Sequence, residues 1–246
     1  MAVLTIEDVS KKFAETEIIK HLNLQVNEGE FVSILGPSGS GKSTLFSLIG
    51  GILTPDSGAI MLKEEKINSK TGSISYMPQS PSLLPWRTVL QNVLLGQELK
   101  GPKDEKKAEE MIEKAGLEAY IHAYPEELSG GMKQRVSFIR ALLSPQPLIL
   151  LDEPFSALDE LTRLDMQKWL LSIWEENRRT VLFITHNLEE ALFLSDRIII
   201  LSSKPAEVVA DYKIPFKRPR AEELFLEDEF LEWKREIYHK IKAVME

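Results

Sequence analysis

One eight-residue segment constrains this chain more than any other. Gly36-Pro37-Ser38-Gly39-Ser40-Gly41-Lys42-Ser43 matches the pattern G-x-x-x-x-G-K-[ST]. A short apolar run, 31–35, precedes it and reads as a strand, and a helix is predicted over about 43–49. Glycines at this spacing let backbone N–H groups turn inward with no Cβ in the way, so the loop can wrap phosphate oxygens. The helix that follows aims its positive end at the same place. In such a loop Lys42 reaches the β- and γ-phosphates and Ser43 ligates Mg²⁺. Thr44 completes the set of expected nucleotide contacts, 36–44. A strand, a phosphate loop and a helix in succession also dictate α/β architecture.

A second segment completes that chemistry. Leu148-Ile149-Leu150-Leu151-Asp152-Glu153 is a continuous apolar run of the buried parallel-strand kind, and it ends in two carboxylates. Asp152 at the strand end is placed to hold Mg²⁺. Glu153 is placed to orient or deprotonate a water for in-line attack on a γ-phosphate. Acidic strand ends are common, and the phosphate loop is what makes this one informative.

The remaining chain reads in three parts. Up to about residue 62 it is β-rich, with strands at 3–6, 31–35 and 60–62 and turns at Gly29 and 55–58. Between about 81 and 143 strand signals are few, an exposed helix is predicted over 105–115, and a second helix starts near Ser129. Helix 161–176, strand 181–184 and a helix begun by Asn187 then alternate, which predicts a parallel sheet. Asn187 with Glu190 three residues on resembles a capping box. Beyond 213 a basic, proline-bearing stretch gives way to an acidic one. Phe230, Ile237, Ile241 and Val244 share one helical face there, which predicts a C-terminal amphipathic helix packed on the domain.

Composition narrows the classes. Thirty basic against thirty-eight acidic residues leave a net charge of −8 in 246 residues, a poor basis for non-specific nucleic-acid binding. With no cysteine, disulfides, thiolate metal sites and cysteine nucleophiles are excluded. No apolar run approaches the roughly 20 residues of a membrane span, and the first residues carry no secretory pattern. A cytoplasmic location is expected, with any membrane role supplied by a partner.

Leu128-Ser129-Gly130-Gly131-Met132-Lys133-Gln134-Arg135 is physically a second glycine-bearing helix start with a serine hydroxyl. Its position in the order of segments is distinctive. A phosphate loop, Gln79, LSGG, an acidic strand end, Ser156-Ala157-Leu158-Asp159 and Thr185-His186 together resemble the nucleotide-binding subunit of ATP-binding cassette (ABC) transporters, over about residues 1–210. That resemblance implies a P-loop NTPase core with a parallel sheet, an N-terminal antiparallel β-subdomain and an inserted helical subdomain at about 80–145. The ATPase domain would span 1–220 and the C-terminal helix 221–246. It further implies that Phe13 stacks on adenine, that Gln79 touches Mg²⁺ or water, and that His186 contacts the γ-phosphate. Ser129, Gly130 and Gly131 would close on the ATP of an opposite subunit, with Asp159 at the interface. ATP and Mg²⁺ are the implied ligands.

Three features resemble the nitrate/sulfonate/taurine importers, a group that includes importers of thiamine-precursor pyrimidines. They are LSGGM followed by Lys133-Gln134-Arg135, Leu83-Leu84-Pro85-Trp86-Arg87-Thr88-Val89 after Gln79, and Lys217-Arg218-Pro219-Arg220. The implied partners are a second ATP-binding subunit, in a homodimer, and separate transmembrane permease subunits at the cytoplasmic face of the membrane. An extracytoplasmic solute-binding protein would act indirectly, and no nucleic acid is expected. Leu83, Leu84 and Trp86 suit either docking to the permease or the core of the helical subdomain. A soluble ABC ATPase of repair or translation fits less well, because the chain has one cassette and no sustained heptads. A P-loop kinase leaves LSGG and His186 unexplained. An exporter subunit shares the ATP chemistry and differs only in the importer-like features.

Overall fold

The structure, a computed structural model, describes residues 1–245. Glu246, the last residue of the expected C-terminal helix, lies outside the described residues. The chain opens with a long hairpin, β1 (Ala2–Phe13) and β2 (Thr16–Asn27), followed by β3 (Phe31–Leu35) and α1 (Lys42–Ile49). Next come β4 (Ser57–Leu62), β5 (Glu65–Lys66) and β6 (Ser75–Met77). Helices α2 (Val89–Val93), α3 (Leu95–Glu98), α4 (Glu105–Lys114) and α5 (Gly130–Leu142) then follow one another. The second half alternates β7 (Leu148–Asp152), α6 (Glu160–Asn177), β8 (Thr180–Ile184), α7 (Leu188–Leu194) and β9 (Arg197–Leu201). It ends with β10 (Val208–Lys213) and α8 (Asp228–Met245).

The strands form two sheets. An antiparallel sheet has the order β2-β1-β4-β5, and a six-stranded sheet has the order β10-β9-β3-β8-β7-β6. The latter is parallel except for β10, which runs antiparallel on its edge. Strands β3, β7 and β8 are buried at every residue, as a sheet covered on both faces requires. Side-chain alternation along β3 divides the core. Val32 and Ile34 pack with α1 and the antiparallel sheet, while Phe31 and Leu35 pack with α5, α6 and α7. Phe31 meets Trp174 and Phe183 edge-on, with centroids 5.5 and 5.8 Å away. Each buried Phe contributes about 1.5–3 kcal/mol by its area alone.

Strands β6 and β7 are hydrogen-bonded neighbours, although the whole helical segment lies between them in sequence. That segment packs on itself through α2 and α5, and its Val89, Val93, Met111 and Ile112 are buried in the core shared with the parallel sheet. Leu83 is partly buried against this core, while Trp86 is 70% exposed.

Several local expectations need correction. Strand β1 runs on from 3–6 to Phe13, across a register shift between Ile6 and Val9. Ser57 and Gly58, read as a turn, already belong to β4, because their partner strand β1 is long enough to reach them. Leu161 is 78% exposed and takes no part in the apolar face of α6. Asn187 does cap α7, with its Oδ1 accepting from the N–H groups of Glu189 and Glu190. Glu190 does not return the bond: its carboxylate accepts from the Thr185 hydroxyl instead, so the box is half formed. A complete capping box occurs at Thr88 and Gln91.

The tail is locked by its arginines. Arg220 is 8% exposed, and its guanidinium donates to the carbonyls of Leu192, Phe193, Ser195 and Phe216. Burial pulls its pKa down to about 10. Arg218 lies over the Trp174 ring at 4.3 Å and donates to Asp196 and Leu194 O. In α8, Phe230 and Ile237 are buried and Ile241 is partly buried against the same core.

Arg220→Met leaves those carbonyls without a donor, and the expected cost is about 3 kcal/mol of unfolding free energy in urea titrations. Arg220→Lys lacks the fork and should recover less than half of it. Wild-type stability in either variant would show that the carbonyls find other partners.

Candidate active site

The phosphate loop leaves β3 at Leu35 and enters α1. Gly39 (φ 75°) and Gly41 (φ 106°) adopt left-handed backbone. A Cβ on Gly41 would lie 3.1 Å from Ile18 Cγ2 and 3.2 Å from Ile18 O, so space and conformation both demand glycine there. The first turn of α1 carries no acidic residue, which keeps its positive end available to an anion. Lys42 is largely buried and its Nζ donates to Gly36 O (2.9 Å), Pro37 O (2.8 Å) and Ser40 Oγ (3.3 Å). Burial pulls its pKa below the usual lysine range, against the opposing fields of Glu153 and Asp152.

The acidic pair is set by the sheet. Asp152 is the last residue of β7 and pairs with Ile184 of β8. Glu153 turns out of the strand at φ 45°, a conformation that costs a non-glycine residue about 1–2 kcal/mol. Its N–H donates to Ile184 O (2.9 Å), and Ser156 donates to its carbonyl from both N (3.2 Å) and Oγ (2.9 Å). These bonds hold the turn that swings the carboxylate toward the loop. Two residues past Ile184, His186 projects from the other side, with Nδ1 3.3 Å from Glu153 Oε2.

The result is a cleft of about 610 Å³ lined by Phe13, Ile18, residues 38–44, Glu153, His186 and Lys204. Phe13 is 46% exposed at the end of β1, with Lys11 Nζ 5.6 Å from its ring centroid. The remaining site residues are elsewhere. Gln79 and Gly130 line a separate cavity with Lys133, Gln134 and Ser156, where Gln79 Nε2 donates to Ser156 Oγ (3.0 Å). Ser129 is exposed and caps α5 by accepting from Met132 N (3.3 Å). Gly131 follows within that first turn. Asp159 is exposed and caps α6 by accepting from Thr162 N (3.1 Å). None of these residues lines the phosphate cleft.

Sequence reasoning did not find Lys204 or Tyr76. Lys204 reaches the cleft because Ala206 pairs with Ile18 and Lys20, a long-range contact with no local signature. Tyr76 donates from its hydroxyl to Asp152 Oδ2 at 3.0 Å. The phenol is itself pushed far up by burial and by that carboxylate.

The donor set fits Mg²⁺ shared with phosphate oxygens. Asp152 is a buried carboxylate whose pKa is raised chiefly by desolvation, and among the described residues it has no ion-pair partner within 4 Å. A hydroxyl and a carboxylate are the hard oxygen ligands this ion takes. Among the described residues no group of three or more His, Cys, Asp or Glu could hold a metal alone, so phosphate and water would supply the other ligands of a bound ion.

Known proteins resemble this chain in sequence and in fold. The family described as ABC transporter matches residues 19–156. The formylaminopyrimidine import ATP-binding protein ThiZ of Halalkalibacterium halodurans is 44% identical over 218 residues, covering 87% of this chain and 85% of that protein. The aliphatic sulfonates import ATP-binding protein SsuB of Bacillus cereus is 39% identical over 230 residues, covering 91% and 92%. A dimeric ATP-binding cassette in a post-hydrolysis state, bound to ADP and Pi, superposes with a TM-score of 0.73 at 34% identity. That match covers 87% of this chain and all of that one. The chain belongs to the ABC transporter family and is one of its ATPases.

Tyr76→Phe removes a donor to the Asp152 carboxylate. The Asp152 pKa should rise further, so the acid limb of kcat/KM, which reports the free enzyme, should move to higher pH. An unmoved acid limb would separate Asp152 from the rate.

Proposed function

We propose that this chain is the ATP-binding and hydrolysing subunit of an importer for a small solute. The solute class is nitrate, sulfonate or taurine-like, or thiamine-precursor-like, as the importer-like features and the relatives' names suggest. The observation that carries the reading is the division of the site. Phe13, the phosphate loop, Glu153 and His186 share one cleft, whereas Ser129 and Asp159 stand exposed away from it. Two copies facing each other would bring the α5 start of each, Ser129 to Gly131, onto the ATP in the other's cleft, with Asp159 at the seam. The dimeric cassette similar to this chain supports that arrangement.

In this reading Phe13 stacks on adenine, worth about 0.5–1.5 kcal/mol beyond its area. Residues 36–44 hold the phosphates by backbone N–H groups, with Lys42 turning its ammonium to them. Ser43, Asp152 and Gln79 would hold Mg²⁺, which would supply neutralisation of the charge developing on the phosphates. Glu153 takes a proton from the attacking water, and His186 contacts the γ-phosphate. ATP between two copies closes the dimer, and loss of the γ-phosphate releases it.

Residues 1–220 form the ATPase unit in this proposal, with 80–145 as its helical part and 221–246 as the packed tail. Among the described residues no helix is long and apolar enough to cross a membrane. The names of the relatives as import ATP-binding proteins support permease subunits as separate partners, met at the cytoplasmic face. Exposed Trp86 with Leu84 is the proposed contact, since a large exposed aromatic beside the Gln79 segment suits a short partner helix.

Glu153→Gln should bind ATP, form a stable dimer and lose roughly 10²- to 10⁴-fold in kcat. Turnover at the wild-type rate would remove Glu153 as the base. Purification of the tagged chain from detergent-solubilised membranes of its own cell tests the partner class. A polytopic membrane protein should co-purify, and recovery of soluble partners alone would contradict the transporter role while leaving the ATPase intact.

A further inference from the structure

Thr185, the residue before His186, is buried, and its hydroxyl sits in a chain of polar contacts. It accepts from Asn187 N at 3.0 Å and donates to Glu190 Oε2. Glu190 lies in the first turn of α7 and is 5% exposed. Its other oxygen, Oε1, faces Arg163 Nε of α6 at 3.8 Å. Arg163 in turn donates through Nη2 to Leu158 O at 2.8 Å, and Asp159 O accepts from its N–H at 2.8 Å. These contacts lead from Leu158 and Asp159 to Thr185, with the 3.8 Å Arg163–Glu190 ion pair as their one long link.

Burying a carboxylate in this position is costly unless its contacts offset the lost hydration. Helix capping does not need it, because Asn187 already satisfies the first N–H groups of α7. The contact with Arg163 is also unfinished. At 3.8 Å it is an ion pair but not a hydrogen bond, and Arg163 Nε is a buried donor with no hydrogen-bond partner. A shift of well under 1 Å between α6 and α7 would make or loosen that bond.

We infer that Glu190 is a positioning residue that couples the 158–163 segment to the switch loop, fixing Thr185 and through it the aim of His186 toward Glu153 and the γ-phosphate. The inference rests on the proposed role of His186. A second copy pressing on the exposed Asp159 end would then be felt at His186 through Arg163 and Glu190.

The test is steady-state ATPase kinetics on the full chain. Wild type, Glu190→Gln, His186→Ala and the double variant are compared, with ADP affinity and melting temperature measured for each. Glu190→Gln keeps the shape and replaces one carboxylate oxygen with an amide group that can only donate. It should lower kcat roughly 10-fold or more while ADP affinity and KM stay within about twofold. Added to His186→Ala it should cost no more than about a further twofold, because both act through one group. Should Glu190→Gln melt early, Arg163→Gln, on a half-exposed side chain, gives the same reading and should show the same pattern.

Two results overturn the inference while sparing the role of His186: a wild-type kcat in Glu190→Gln beside a crippled His186→Ala, or losses that multiply in the double variant. A wild-type kcat in His186→Ala overturns the switch assignment itself, and the route through Glu190 falls with it.

Discussion

The parallel register of β3, β7 and β8 is the constraint on which the site depends. Ile34 and Asp152 both pair with Ile184, so three strands end at one level of the sheet. The phosphate loop, the carboxylates of Asp152 and Glu153, and the Thr185-His186 pair stand at or just beyond those ends. A one-residue slip in any pair would turn alternate side chains to the opposite face and exchange the two halves of the core. Continuous burial of all three strands forbids that slip. The free energy that fixes the chemistry is thus mostly apolar, held by Phe31, Phe183, Trp174 and the aliphatic residues around them.

Upon this frame, backbone strain at Glu153 and burial of Lys42 and Asp152 fall at the candidate site. Glu153 has left-handed backbone and is tied to Ile184 O and Ser156. Lys42 and Asp152 are ionisable groups drawn out of water, and each is shifted toward its neutral form. An anionic ligand with a divalent cation would reverse both shifts, since each charge would gain an opposite partner. The same logic separates the two arginines of the tail from the site. Arg218 and Arg220 are buried as a clasp over α7, which makes the basic stretch an internal bracket rather than a binding patch.

Much of this was legible in the sequence because the informative elements are local. The phosphate loop, the apolar run into Asp152 and the helix starts at Ser129 and Asn187 each carry their own pattern, and the strands at 31–35, 148–152 and 180–184 stand within a residue of expectation. What was hidden depends on distant partners. Tyr76 could not be tied to Asp152 without knowing that β6 lies beside β7 across the helical segment. Lys204 enters the cleft only because 206 pairs with Ile18. Glu190 was misread for a simple reason: a capping-box carboxylate and one turned toward the preceding threonine have the same sequence spacing.

In the proposed dimer one copy holds half of each site and a second copy completes it. The chain contains no cysteine, so introduced thiols report without background. The most direct measurement mixes a Ser38→Cys preparation with a Ser129→Cys preparation and adds a short flexible bis-maleimide with and without MgATP. A covalent dimer joining the two variants should form with MgATP and be scarce without it. Absence of that dimer under MgATP, or bridging of Ser38→Cys to Ser129→Cys within a single doubly substituted chain, would contradict the two-copy site.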